Sequence, residues 1–323
     1  MPTIDRYRAD FLEHMHAYIS HREPVSLYGP MHYILNIGGK RIRPILTLMG
    51  ADIFGKDYKN ALHAALAVEV FHNFSLVHDD IMDKAPLRRG ETTVHEKWNL
   101  NTAILSGDAM LILAYQFFES YKPEIFRELA QLFSKTALEV CEGQQYDIDF
   151  ESQSLVSEAD YLLMIRYKTA VLVGAALQMG AIVAETSAEN KQLIYDFGVQ
   201  LGLAFQLQDD YLDTFGDDTF GKKIGGDILE NKKTLLVIKA LENANEAQRT
   251  ELTRWHQQTD AEPEAKIQAV TQLFVDTKAD EFIRKEIEKY TWSALQNLDA
   301  LDIAADKKEK LKEFAHDLMD RTV

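Results

Sequence analysis

Cysteine is almost absent from this chain. Cys141 stands alone among 323 residues, which excludes an internal disulfide framework and any metal site built on thiolates. A lone cysteine in an apolar-periodic stretch reads as a small buried helix residue. Proline is scarce, at seven residues, and Gly-Pro punctuation is sparse, so the signals of short strands and tight turns are thin. Positive charge is in deficit: 35 Lys and Arg against 51 Asp and Glu give a formal net charge of −16. That balance argues against nucleic acid as a partner, because a phosphate backbone needs a basic face. The segment MPTIDRYRADFLEHMHAYIS carries acids and no uninterrupted apolar run. It resembles neither a signal peptide nor a membrane span, so a cytoplasmic protein with no stable membrane insertion is expected.

What the chain does have is apolar residues at helical spacing. They recur over 61–77, 103–118, 128–145, 159–183, 191–212, 234–241, 266–274, 278–298 and 307–319. Nothing alternates convincingly with period two. The expected class is all-α, a single large domain over 1–323 with roughly ten or more helices. Polar stretches at 53–59, 146–158, 214–233 and 242–265 read as connections.

Two aspartate clusters of one form, Asp79-Asp80-Ile81-Met82-Asp83 and Asp209-Asp210-Tyr211-Leu212-Asp213, lie about 130 residues apart. In each, the first and last aspartates are four residues apart and share a helix face. One such pair alone would read as a solvated surface. Here both follow apolar stretches, 71–78 and 201–208, and placing so many carboxylates against a core without a ligand is costly. Clustered carboxylates repel one another unless a cation sits among them, and an all-oxygen donor set suits Mg²⁺ with phosphate oxygens. Basic segments accompany the acids. Gly38-Gly39-Lys40-Arg41-Ile42-Arg43 offers three cations and a permissive backbone, Arg88-Arg89-Gly90 follows the first cluster, and Lys222-Lys223 and Lys232-Lys233 follow the second. The pattern predicts a Mg²⁺-bound phosphate ester.

The segments GGKRIRP, LVHDDIMD followed by LRRG, AILSGDAML, KTA at 168–170, and FQLQDDYLD followed by KKIGGDILENKKT resemble the trans-prenyltransferases, the polyprenyl synthetase family. They run in order over 38 to about 235. The resemblance implies an all-α bundle around a deep central cavity of the isoprenoid synthase type, commonly a homodimer. It also implies head-to-tail condensation of isopentenyl diphosphate with an allylic prenyl diphosphate. Carried over by motif, Asp79, Asp83 and Asp209 would hold catalytic Mg²⁺, with Asp80, Asp210 and Asp213 as direct or water-mediated supports; three ions are expected with substrate, and Mn²⁺ could substitute. Lys40, Arg43, His72 and Arg89 would bind isopentenyl diphosphate. Arg88, Lys168, Thr169, Gln206, Lys223 and Lys232 would hold the allylic diphosphate, with Lys168 and Lys223 also counted as catalytic, and Lys222 could take the place of Lys223.

No nucleophile and base arrangement is evident, so the expected chemistry is electrophilic. Charge on a departing diphosphate is neutralised by Mg²⁺ and cations, the allylic cation is attacked by the isopentenyl double bond, and proton loss completes the chain. A terpene cyclase and a non-catalytic regulatory subunit are rivals within the same resemblance. Both fit less well, because the second motif is again DDxxD and every metal and phosphate motif is intact. Product length would be set on the turns before Asp79. The resemblance points to Phe74, five residues before that aspartate, together with Phe71 and Ser75. The uninterrupted DDIMD resembles geranylgeranyl synthases of archaeal type, which makes geranylgeranyl diphosphate the expected product and farnesyl diphosphate the alternative. Residues 242–323 are expected to pack and close the bundle.

Overall fold

Sparse proline and glycine let the chain run in long helices. The computed structural model describes residues 2–18, 22–153, 155–216, 224–258 and 262–319. The helices are α1 (Ile4–Tyr18), α2 (Val25–Asn36), α3 (Ile42–Ile53), α4 (Leu62–Met82), α5 (Val94–Lys97), α6 (Leu100–Gln116), α7 (Pro123–Ser152), α8 (Glu158–Ile165) and α9 (Val171–Val183). They continue as α10 (Ala188–Phe215), α11 (Gly226–Leu229), α12 (Leu235–Asn243), α13 (Glu246–Gln257), α14 (Pro263–Asp276), α15 (Ala279–Ala300) and α16 (Ala305–Met319). Strand among the described residues is confined to one ribbon, β1 (Leu87–Arg88) against β2 (Glu91–Thr92), so the all-α expectation holds.

Contacts divide the chain into two compact units, one of 1–135 and 175–194, the other of 136–174 and 195–323. In the first, α4 is the central helix: Ala64, Ala65, Leu66, Ala67 and Val68 are fully buried, and α3 and α6 pack against it. In the second, α12, α14 and α15 pack together, with Leu235, Val270, Phe274, Ile283 and Leu298 in their core.

Four sequence expectations are corrected. The stretch 242–265 is not a connection: it holds α13, which Asn245 and Gln248 start with a reciprocal capping box. Helix α7 continues through 146–152 despite its polar composition. The apolar run 159–183 is interrupted by a π-helical turn at Arg166–Ala170. Cys141 is exposed, not buried, because it lies about 100° around α7 from the inward Val140 and about 60° past the inward Gln144. The run Glu158–Val183 is long and apolar enough to cross a membrane, but 61% of its most apolar window is buried inside the protein.

Candidate active site

In the first unit the acidic cluster forms the last turn of α4. Lys84 adopts a left-handed φ of 51°, the Ala85 N–H bonds Asp80 O at 2.9 Å and the Lys84 N–H bonds Ile81 O at 3.3 Å. This Schellman closure fixes the turn. The C-terminal end of a helix already carries partial negative charge, so three aspartates there raise an unfavourable potential that a cation would relieve. Asp80 is fully buried. Its Oδ1 accepts from Arg88 Nε at 2.8 Å and pairs with Arg88 Nη2 at 2.7 Å. Its Oδ2 is buried with no hydrogen-bond partner among the described residues.

The basic residues of this unit divide by role. Arg41, at φ 54°, turns inward and bonds Glu69 and Leu35 O, so one of the three loop cations is structural. Arg43 directs Nη1 toward His72 Nε2 at 3.3 Å. Burial, and then the guanidiniums of Arg43, Arg89, Arg88 and Arg41, hold the His72 pKa well below its ordinary value. The imidazole is neutral at pH 7, with Nε2 accepting from Arg43. Two left-handed residues, Arg89 at φ 53° and Gly90 at φ 80°, turn β1 into β2. Arg89 Nη1 reaches Gly38 O. Gly39, at φ 123°, adopts a backbone that favours glycine, and a Cβ there would crowd the Arg89 guanidinium. Lys40 is exposed. The loop 38–43, the ribbon and His72 thus gather cations beside the end of α4.

Phe74, 9% exposed, meets the His78 ring at 4.8 Å and the Phe71 ring at 5.6 Å. Phe71 in turn meets Phe133 edge-on at 5.1 Å. Ser75 spends its hydroxyl on His72 O at 2.9 Å.

In the second unit, Asp209, Asp210 and Asp213 lie near the C-terminal end of α10. Asp210 is held from both sides: Tyr161 Oη donates to Oδ2 and Gln206 Nε2 to Oδ1 at 3.1 Å. Burial and the nearby Asp227 charge push its pKa up to about 8, against the lowering effect of those two donors. Thr169 donates to Gln206 Oε1 at 3.1 Å, and Lys168 Nζ pairs with Asp147 at 2.5 Å. Both lie in the π-helical turn, which is wedged between two helix glycines. A Cβ on Gly143 would stand 2.2 Å from Lys168 N, and one on Gly202 2.7 Å from Ala170 Cα. Asp213 Oδ2 accepts from the Asp227 N–H at 2.9 Å. Lys232 Nζ lies 3.3 Å from Asp227 Oδ1 and 3.0 Å from Glu230 Oε2. Lys222 and Lys223 lie outside the described residues.

The middle aspartate of each cluster is thus tied to protein donors, while the donor set at both helix ends is wholly oxygen, as Mg²⁺ requires. Among the described residues, no three His, Cys, Asp or Glu side chains converge so as to hold a metal by themselves.

The polyprenyl synthetase model matches residues 24–274. The chain belongs to the polyprenyl synthetase family. It is similar to the geranylgeranyl pyrophosphate synthase of Geoglobus acetivorans, 37% identical over 305 residues, covering 94% of this chain and 93% of that protein. It is also similar to the geranylfarnesyl diphosphate synthase of Natronomonas pharaonis, 33% identical over 320 residues, covering 93% of this chain and 92% of that protein. A crystal structure of a geranylgeranyl pyrophosphate synthase superposes with a TM-score of 0.96 at 52% identity, covering 99% of each chain. This synthetase is therefore a prenyltransferase. Three residues without an assigned role are bonded to the candidate site residues: Asp147 to Lys168, Tyr161 to Asp210 and Asp227 to Asp213. The available signals were Gly143 inside an otherwise uninterrupted helix, and an aromatic placed one turn or more before the KTA segment.

Proposed function

We propose that this enzyme condenses isopentenyl diphosphate head to tail with allylic diphosphates and releases geranylgeranyl diphosphate. The observation that carries the reading is that each of two acidic helix ends has its own set of cations. In the first unit, Lys40, Arg43, Arg89 and neutral His72 bind the isopentenyl diphosphate. In the second, Lys168, Thr169, Gln206, Lys223 and Lys232 hold the allylic diphosphate. Asp79, Asp83 and Asp209 would hold Mg²⁺ or Mn²⁺, with Asp80, Asp210 and Asp213 as supports. When bound, up to three such ions supply the positive charge that a departing diphosphate requires. The chain's own cations orient the two substrates, and apolar walls exclude water from the allylic carbon.

Phe74, backed by Phe71, limits the product to twenty carbons in this reading. The enzyme acts in the cytoplasm as a homodimer: Ile104, Leu105 and Ile112 are 40%, 60% and 59% exposed along one side of α6, where they flank the exposed Asp108, a mixed surface offered to a second copy. The decisive experiment incubates purified protein with dimethylallyl and isopentenyl diphosphates and Mg²⁺, then chromatographs the dephosphorylated products. Geranylgeraniol is expected. Cyclic products, no turnover, or a main product of another length would overturn the reading.

A further inference from the structure

Two neighbouring residues of α14 meet the two ends of the segment 225–231, which carries Asp227 and leads directly into Lys232. At one end is Gly225, at φ 80°, where a Cβ would stand 2.6 Å from Ile267 Cγ1. At the other end is Asn231, left-handed at φ 57°, whose Oδ1 accepts from Lys266 Nζ at 2.6 Å. Between them the segment is tied to the second aspartate cluster. Asp213 O accepts from the Gly225 N–H at 2.6 Å, while within the loop Asp227 O accepts from the Lys232 N–H at 2.9 Å. The carboxylate of Asp213 accepts from the Asp227 N–H at 2.9 Å.

Lys266 is only 3% exposed. A buried ammonium costs free energy that an apolar side chain of similar length would avoid, and burial lowers its pKa accordingly. Its hydrogen bond is therefore what distinguishes it from a methionine at that position. The bond falls on the residue immediately before Lys232. A non-glycine residue at positive φ needs its surroundings to hold it, and a bonded asparagine side chain does so.

We propose that Lys266 is a positioning residue. By bonding Asn231 in its left-handed conformation, with Ile267 seated under Gly225, it fixes the reach of Lys232 toward the allylic diphosphate. The inference rests on the assignment of Lys232 to that diphosphate. It also gives α14, in the region read from sequence only as packing, a part in substrate binding.

The test compares Lys266→Met, Asn231→Gly and Asn231→Asp by steady-state kinetics with dimethylallyl and isopentenyl diphosphates. Glycine keeps the left-handed backbone and removes the acceptor, whereas aspartate restores it. Lys266→Met and Asn231→Gly should each raise KM for the allylic substrate about ten-fold with KM for isopentenyl diphosphate changed less than about two-fold. Asn231→Asp should stay close to wild type. In a Lys232→Ala background, Lys266→Met should add almost nothing. If Lys232→Ala raises the allylic KM while Lys266→Met and Asn231→Gly do not, or shift both KM values equally, the positioning role is wrong. If Lys232→Ala leaves the allylic KM unchanged, the assignment of Lys232 fails and the positioning role with it. Should Lys266→Met not fold, Asn231→Gly alone decides.

Discussion

Arg88 spends two nitrogens on a single oxygen of Asp80, Nε at 2.8 Å and Nη2 at 2.7 Å from Oδ1. Tyr161 and Gln206 treat Asp210 comparably, one donor on each oxygen. In both clusters the second carboxylate is held by side-chain donors, whereas Asp213 accepts from the Asp227 N–H, and the first and last share a helix face with each other.

That division separates the aspartates by experiment. Asp79→Ala or Asp209→Ala should abolish turnover while Tm of the metal-free protein stays level or rises, because like-charge repulsion is relieved. Asp80→Ala should instead cost stability, about 1–3 kcal/mol, since it strands Arg88 without its buried acceptor. Assays at saturating Mg²⁺ alongside thermal melting check both. Near-normal turnover in Asp79→Ala would defeat the metal assignment.

The two diphosphate sets should come apart kinetically. Arg43→Ala should raise KM for isopentenyl diphosphate about 10- to 100-fold, the size of a lost charge-assisted contact, with a smaller effect on the allylic substrate. Lys168→Ala should do the reverse. Equal effects on both substrates from both variants would end the division.

His256 supplies a pH dependence. Burial, followed by the charges of Lys266 and Lys233, lowers its pKa to about 4. A histidine with a depressed native pKa takes up its proton more readily when unfolded, so its contribution is present above about pH 6.5 and is lost as pH falls toward 4. His256→Gln should flatten the loss of unfolding free energy over that window by at most about 3 kcal/mol. Denaturant melts at pH 7 and pH 4.5 read this out, and a proton NMR titration placing His256 near 6.5 would contradict it.

Chain length is the fourth test. Phe74→Ala should shift the main product beyond twenty carbons, and Phe71→Ala on top of it should shift it further, because the two rings lie 5.6 Å apart and Phe71 is backed by Phe133 at 5.1 Å. No lengthening in the double variant would mean that the stop lies on another helix.

The exposed stripe of α6 gives the fifth. Leu105→Glu together with Ile112→Glu should convert a dimer into a monomer in sedimentation experiments, as two further negative charges beside Asp108 disfavour association. A wild-type chain that sediments as a monomer, or a dimer that survives the double change, would rule the stripe out.

Much of this was legible in the sequence because it rested on period and repetition. Helices α4, α6 and α10 carry strong apolar spacing, and the aspartate clusters, the GGKRIRP loop and the KTA segment are contiguous words. What was not legible depended on long-range partners. Helix α7 runs on through Asp147 because that residue finds Lys168, 21 positions away. Tyr161 finds Asp210, 49 positions away. Arg41, one of the three cations in the GGKRIRP loop, is paired with Glu69, 28 positions away. The missed helix α13 had a local signal, the Asn245 and Gln248 cap, masked by a polar face that period alone reads as a connection.

The π-helical turn at Arg166–Ala170 acts as a phase shifter. One extra residue in a helix advances every later side chain by about 100° around the axis. Deleting any single residue from this turn would let the chain relax into an unbroken α-helix, and α8 and α9 would then share one angular frame. Tyr161 before the turn and Thr169 within it both bond residues of α10, Asp210 and Gln206. This short segment should therefore tolerate substitution at its solvent-facing positions far better than it tolerates a change in length.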